Sequence, residues 1–585
     1  MKIKSIIIFK AILLSVFFIF NTSSIVIKSQ SLKENQFNCF SIMTGKDASV
    51  DGSVIFAHNE DDGGNQLVNW YKVPQLFHNS GEEIIIKNGA HIPQVAVTNG
   101  LIWLEMPRTD FSDSYMNNYG VTIASDQCSS KETSGELTDG GIGYWLRRIM
   151  AERAKTSREA VHIGGQLVEE FGYNSSGRTY CIADPNEAWL MSVVQGKHWV
   201  AQRIPDNQIT VIPNFYTIKE INLADTNNFL GSSDIIEYAI QKGWYDPKSK
   251  MPFNFRKAYG NVSSLNSIHN KARQWAAVNI LSEHQYDIND DMPFSFIPKN
   301  KVSVQDIISV LRNHYEATQY ETTGNPHNNS VMTVCSSTNQ YGFVAQLRNW
   351  LPNEIGSVLW IAPRRPCTQP FIPWYCGIDS IAQGYARNDY QTAIEEHFQT
   401  SENIYEHVPT LAFWAFVEFA EQIDANYTNL IENVREKIKN HFEQELFEKQ
   451  SDVENQFLSI YQTDTFNAIQ QITEYTDYWA TRAWQNCLYI PANSEHIDIQ
   501  ILQNYPNPFN NTTTIEYIVP EQYKGTVEIN IYDSIGKPVK KIIDKSHNKG
   551  KHTIKFDASH LPKGIYYYGL KIDNYKEAKK MVLIK

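Results

Sequence analysis

Apolar and polar positions follow three different rhythms along this chain, each in its own stretch. From about residue 39 to 390, short apolar runs mix with helical spacings. Val54 to Ala57 reads as a short apolar strand, ended by a turn over His58-Asn59-Glu60-Asp61. Arg178 to Ala183 and Ala188 to Val194 read as paired strands around an Asp184-Pro185-Asn186-Glu187 turn. Behind Thr156-Ser157-Arg158-Glu159, the residues Ala160, Ile163, Leu167, Val168 and Phe171 recur at helical spacing, and Gly172 stops the helix. Thr156 and Glu159 form a capping box in which each satisfies the other's exposed amide. Strands mixed with amphipathic helices predict an α+β fold with a layered core.

From about 400 to 490 glycine vanishes and the rhythm turns helical. Ile431, Val434, Ile438, Phe442 and Leu446 make one stripe, predicting helices that pack on the main body or extend from it. From about 499 to 585 the pattern becomes short alternating strands separated by turns. Examples are Val527 to Tyr532, the Asp533-Ser534-Ile535-Gly536 turn and the late strand from Lys563 to Tyr568, and together they predict a small β-sandwich tail. Ahead of all this, Lys2 and Lys4 precede an apolar run from Ile6 to Phe20. That run is short for a membrane span and reads as a secretory signal over residues 1–26, with a propeptide over 27–38.

Composition narrows the choice of function. A chain of 585 residues with 42% hydrophobic content and 13 Trp supports a large core and more than one domain. A formal charge of −12 without a long basic run argues against nucleic acid as a partner. The seven cysteines include no Cys-x-x-Cys pair, and no His-Glu-x-x-His occurs, so neither a metal site nor any cofactor is indicated. Export permits disulfides, but their pairing is not legible from spacing.

Cys39 carries the chemistry. If the chain is cut before it, one residue bears both a thiol and a free α-amine. A reference thiol titrates near ~8.5 and an α-amine near ~7.7–8.0, so the amine is substantially neutral around neutral pH and can take the thiol proton. An internal amide nitrogen cannot, because its lone pair is delocalised. Cleavage ahead of Cys39 is therefore an activation step that creates a nucleophile and its base together.

Two resemblances extend this reading. The tail resembles the C-terminal sorting domain of the type IX secretion system, through the Asn504–Phe509 stretch, "IYDSIGKPV" at Ile531–Val539, "LPKGIYYYGL" at Leu561–Leu570 and the terminal Lys580–Lys585. It implies a Gram-negative bacterium of the Bacteroidetes type, the type IX machinery as a partner, a secreted or cell-surface location, and removal of the tail. The body resembles the cysteine dipeptidases of the N-terminal nucleophile hydrolases, relatives of bile-salt and penicillin V acylases. The markers include "CFSIMTGKDASVDGSVIFAHNEDDGG" at Cys39–Gly64, "MNNYGVTIASD" at Met116–Asp126, "IADPNEAWLM" at Ile182–Met191 and "VAQLRNWLPNEIG" at Val344–Gly356.

The second resemblance implies a four-layer αββα sandwich over residues 39–390, a helical extension over 391–495 and the sorting tail over 499–585. It implies hydrolysis of dipeptides or short peptides through an acyl-thioester, with a homo-oligomer left open. The alternatives are an acylase cleaving an N-acyl amino acid or a conjugated bile salt, and an inactive surface-binding protein. By this likeness Cys39 is the nucleophile, Asp61 holds its amine, Asn117 and Asn214 serve the oxyanion, and Arg273 lies close to the thiol. His58 and Asn59 would line the substrate site. Acylase relatives often carry arginine where this chain has His58, which leaves open which cation takes the arginine's part.

Overall fold

A computed structural model describes residues 38–62, 65–86, 89–109, 112–399, 407–408, 410–488, 500–519, 526–533, 537–546, 550–572 and 575–584. The leader, most of the propeptide and the Asp533–Gly536 turn, apart from Asp533, lie outside these residues. Two large sheets dominate the body. One has six strands in the order Ile209–Ile212, Phe40–Thr44 (β1), Val54–Asp61 (β2), Asn339–Leu347, Ser357–Pro363 and Ile372–Tyr375. The other has eight, running from Phe229–Gly231 at one edge to Asn69–Val73 at the other.

Strand alternation assigns the two faces of the larger sheet to two different cores. Trp103, Ile123, Tyr180, Ile182, Trp189 and Met191 join Leu146, Ile149, Val161 and Val168 of the helices Trp145–Arg153 (α1) and Ser157–Phe171 (α2). Their neighbours Ile102, Leu104, Ala124, Cys181 and Leu190 join a core shared with Ile42, Val54 and Phe56 of the six-stranded sheet. That core continues through Ile307 and Leu311 of the helix Val304–Leu311 and Val278 of the helix Ile268–Leu281. The expected mixture of strands and helices is therefore present, with helices and several sheets in one body.

The α2 helix starts and stops where its pattern predicts, with Thr156 accepting the Glu159 amide at 3.1 Å and Gly172 at φ 80° closing it. The capping is not reciprocal, however. The Glu159 carboxylate accepts the amide of Lys155 at 2.7 Å, one residue earlier than expected. The paired strands are Tyr173–Ala183 and Ala188–Gly196, and Asp184 at their turn accepts the amides of Asn186 and Glu187.

One expectation fails at the point that matters most. The run His58-Asn59-Glu60-Asp61 is not a turn: β2 continues straight through it to Asp61, and all four side chains are buried. Polarity read as a surface signal is here an interior network, because each of the four finds hydrogen-bond partners on neighbouring elements.

The four helices between Ala412 and Leu488 pack on the body, since Phe416, Ile431, Phe457 and Trp479 share the core with the six-stranded sheet. Buried Arg348 pairs with Glu454 at 2.5 and 2.7 Å and ties the third of these helices to the end of a central strand. The tail holds a three-stranded and a four-stranded sheet around its own core, including Ile515, Tyr517, Ile529, Ile531 and Tyr568. Among the described residues no helix is long and apolar enough to cross a membrane.

Candidate active site

The register of β1 on β2 assembles the site. Phe40 pairs with Asn59 and Ser41 with His58, and the Asn38 amide donates to the Asp61 carbonyl at 3.4 Å, so Cys39 stands opposite Glu60. Alternation then aims Cys39, Ser41, His58 and Glu60 from one face of the hairpin. Cys39 is only 1% exposed. Its thiol donates to Glu60 Oε1 at 3.1 Å, and Glu60 Oε2 lies 3.0 Å from His58 Nε2. His58 Nδ1 is 2.8 Å from Ser41 Oγ, which donates to Asp126 Oδ2 at 2.7 Å across the gap between the sheets.

The proton positions follow from donor and acceptor roles along this row. Ser41 gives its only hydrogen to Asp126, so it accepts from His58 Nδ1–H. Burial lowers the His58 pKa to about 4, and the ring is neutral. Its Nε2 is therefore a lone pair that must accept from Glu60. Burial raises Glu60 to about 8, which supplies the protonated carboxyl this needs. The His58–Glu60 contact is thus a neutral hydrogen bond, not an ion pair. Burial first, then Glu60 once it ionises and the Asp126 charge, push the Cys39 thiol well above its ordinary value. With Asn38 still attached, the thiol is protonated and its carboxyl neighbour is no base for it.

Arg273, fully buried on the helix Ile268–Leu281, holds the backbone on both sides of the Cys39 nitrogen. Its Nη1 donates to the carbonyl of Asn38 and, at 3.2 Å, to that of Cys39. Its Nη2 donates to Asn214 Oδ1 at 2.7 Å and to Asn270 Oδ1 at 2.9 Å. A guanidinium only donates, so the oxygen of Asn214 must face it. The Asn214 Nδ2 is left buried and without a hydrogen-bond partner, on an amide that one guanidinium joins to the Cys39 carbonyl. Asn214 arrives there because it follows the strand Ile209–Ile212, which pairs along β1.

Asp61, at the end of β2, is clamped on one oxygen only. Its Oδ1 accepts from Ser336 at 2.5 Å, Asn339 at 2.8 Å and Thr338 at 3.0 Å. Its Oδ2 is buried without a partner. Burial raises its pKa to about 7 against the opposing charge of Arg273.

Two other expected residues, Asn117 and Asn59, bond elsewhere, and a third, His58, lies in the row beside Cys39 without a charge. Asn117 donates to the Ala151 and Ala154 carbonyls at 2.8 Å each and accepts the amides of Tyr119 and Val121. All its hydrogen-bonding capacity goes to the end of α1 and a tight turn, and none is aimed at Cys39. Asn59 donates to the carbonyls of Leu311 and Val334, on the opposite face of β2 from His58. Buried, neutral His58 does not supply the missing arginine's charge. The positive field on Glu60 comes from Arg147 and Arg178, both buried, and that on Asp61 from Arg273.

Sequence reasoning missed Glu60, Ser41, Asp126 and Asn270. Period-two alternation through His58-Asn59-Glu60-Asp61 would have placed Glu60 beside Cys39, had the run been read as strand. Two groups of described residues bring metal-binding donor atoms within 4.8 Å of one another: Cys39, His58 and Glu60, and a separate set of His314, His327, Cys335 and Cys367. The first is already closed on itself by the hydrogen bonds above.

Comparison with known proteins agrees with this geometry in where it falls. A model described as "Peptidase family C69" matches residues 38–440, and one described as "Secretion system C-terminal sorting domain" matches 503–585. A "Probable dipeptidase" of Latilactobacillus sakei is 29% identical over 364 residues, 59% of this chain and 76% of its own. A "Dipeptidase" of Bifidobacterium longum (strain NCC 2705) is 27% identical over 448 residues, 68% of this chain and 80% of its own. A "Probable dipeptidase B" of Lactococcus lactis subsp. lactis (strain IL1403) is 24% identical over 444 residues, covering 72% and 87%.

Proposed function

We propose a cysteine-dependent dipeptidase activity for this chain, which belongs to peptidase family C69. The relatives' names favour dipeptides over the acyl amides of the alternative reading. The observation that carries the proposal is the grip of Arg273 on the Asn38 and Cys39 carbonyls, with the unpaired Nδ2 of Asn214 beside it.

Cleavage ahead of Cys39 removes the Asn38 carbonyl and releases the Arg273 donor for a substrate carbonyl. It also creates the α-amine, for which the open Oδ2 of Asp61 is the acceptor. The amine takes the thiol proton as sulfur bonds to the carbonyl carbon of the peptide. Negative charge on the carbonyl oxygen meets Asn214 Nδ2, an amide donor that has no proton to lose. The tetrahedral species expels the leaving amine, which receives the stored proton, and a thioester remains on Cys39. Water then attacks with the same amine as base, and the acid product leaves with Cys39 restored.

The two sheets with helices on both outer sides are read as the αββα sandwich of N-terminal nucleophile hydrolases. The sorting domain supports export to the cell surface or medium, with residues 1–26 as leader. Mass spectrometry of the active protein tests the scheme: the mature chain should begin at Cys39, and acetylation of its α-amine should silence it. Full turnover by a chain that still carries Asn38 would overturn it.

A further inference from the structure

We propose that His314, His327, Cys335 and Cys367 form a structural zinc site that braces the loop holding Asp61. All four are buried, and their ligating atoms lie within 4.8 Å of one another. His314 Nε2 is 3.2 Å from His327 Nε2, and His327 Nε2 is 3.5 Å from Cys367 Sγ and 3.9 Å from Cys335 Sγ. A tetrahedron with zinc–nitrogen bonds of about 2.0–2.1 Å and zinc–sulfur bonds of about 2.3 Å separates its ligands by about 3.3–3.8 Å. The observed spacings fall on that scale.

The second observation is the orientation of the imidazoles. His327 Nδ1 bonds Asp424 Oδ1 at 2.7 Å, and His314 Nδ1 bonds Glu316 Oε1 at 3.2 Å. A carboxylate on each Nδ1 orients its ring and aims both Nε2 atoms into the cluster. A metal bound there would take the place of the hydrogen shared between the two Nε2 atoms at 3.2 Å. Two thiols beside them complete a set of soft sulfur and imidazole donors, which selects zinc over magnesium or calcium. Four protein ligands leave no open position, so the ion is structural.

The four donors come from separate segments, which hydrogen bonds such as Cys335 N–H to the Asn313 carbonyl and Arg312 to the Pro366 and Gln369 carbonyls already bring together. His314 follows the helix Val304–Leu311, and His327 sits in the short turn Pro326–Asn328. Cys335 immediately precedes Ser336, the donor to Asp61, and Cys367 lies in the loop between Ser357–Pro363 and Ile372–Tyr375. Asp424 brings in the helix Ala412–Ala425 and is also paired with Arg365. An ion here would hold the Ser336-to-Asn339 loop at a fixed distance from β2. The absence of Cys-x-x-Cys spacing gave no warning of this, because no two of the donors are close in sequence. The effect on Asp61 rests on the function proposed above; the binding of metal does not.

The test uses the full chain, produced in minimal medium supplemented with zinc or with cobalt. Elemental analysis should find about one metal ion per chain. The cobalt form should show sulfur-to-metal charge transfer and tetrahedral visible bands. Cys335→Ser and Cys367→Ser should each lose at least about nine-tenths of the metal, whereas Cys39→Ala should keep it. Because the serine variants can fail to fold, His327→Cys serves as a second probe: it keeps four ligands and should retain metal with a shifted cobalt spectrum. A wild-type protein without metal from either medium, a Cys335–Cys367 disulfide by mass spectrometry, or metal retained in a soluble Cys367→Ser variant would each overturn the site. None of these results bears on whether hydrolysis depends on Cys39, so the two proposals fail separately.

Discussion

Two buried clusters in this chain use the same residue types to opposite ends. Around Cys39 a protonated carboxyl touches the sulfur directly, and burial first, with the Asp126 charge, keeps the thiol protonated. Around Cys367 the carboxylates stand one ring further away, on the remote nitrogens of His327 and His314. Burial alone would raise the Cys367 thiol, but the Cys335 hydrogen bond and the adjoining His327 and His314 rings outweigh it and hold Cys367 well below its ordinary value. The groups that touch the sulfur, a carboxyl in one cluster and imidazoles with a second thiol in the other, thus separate a sulfur that waits for a base from one already suited to a metal.

Substitution at the two sulfurs breaks the comparison most sharply. Cys39→Ala should lower kcat by about 10⁴-fold or more while leaving the fold intact, since the nucleophile has no substitute. Cys335→Ser should act on stability first, seen as a lowered thermal midpoint, with activity falling only as the protein unfolds. Equal loss of activity at equal stability in both variants would erase the distinction. Next in size is the oxyanion. Asn214→Ala removes an unpaired buried donor joined to Cys39 through Arg273 and should cost about 10²–10³-fold in kcat with little change in KM. A rise in KM alone would make Asn214 a substrate-binding residue.

Glu60→Gln sharpens the electrostatic half of the comparison. In the folded chain Glu60 stays protonated up to about pH 8, whereas an unfolded Glu ionises near ~4.3. Between those limits the folded state holds one more proton, so stability falls as pH rises through the window and levels off above it. An amide at this position can still donate to His58 and accept from Cys39, and it does not titrate. The variant should therefore lose less stability than the wild type between about pH 5 and about pH 8. Asp61, raised to about 7 for the same reason, keeps part of the slope. Denaturant midpoints across this range measure the difference, and identical slopes would mean that Glu60 is ionised in the folded chain.

How much of this was legible depended on whether local pattern and long-range pairing agreed. The α2 helix and the strand pair around Asp184 were readable because cap, stop and turn residues sit within a few positions of each other. Cys39 was legible from its thiol behind a leader and spacer, whereas Asn214 and Arg273, which the structure joins to it, were reached only through blocks of family likeness. No periodicity relates a strand end, a loop and a helix 234 positions apart. Glu60 was hidden by its own polarity: four consecutive polar residues signal a turn unless the partners that bury them are known, and those come from Ser41, Ser336, Asn339 and Leu311. The metal-type cluster was invisible for the same reason, its ligands being contributed by four separate segments.

Asn117 is the smallest expected effect and the clearest contrast between likeness and geometry. The family pattern assigns it to the oxyanion, yet its amide joins the Ala151 and Ala154 carbonyls at the end of α1 to the Tyr119–Val121 turn. Asn117→Ala leaves the two carbonyls to Asn99 alone and the buried Val121 amide without its side-chain partner, a loss of about 1–3 kcal/mol for a group orphaned where water cannot enter. The thermal midpoint should fall by several degrees, while kcat per folded molecule stays within about twofold. The contrast with Asn214→Ala is then internal: two asparagines, one bonded at every atom and one with a donor to spare. If Asn117→Ala lowers kcat a hundredfold at full folding, the segment around it must rearrange when the residues ahead of Cys39 are removed. The oxyanion would then be shared between the two side chains.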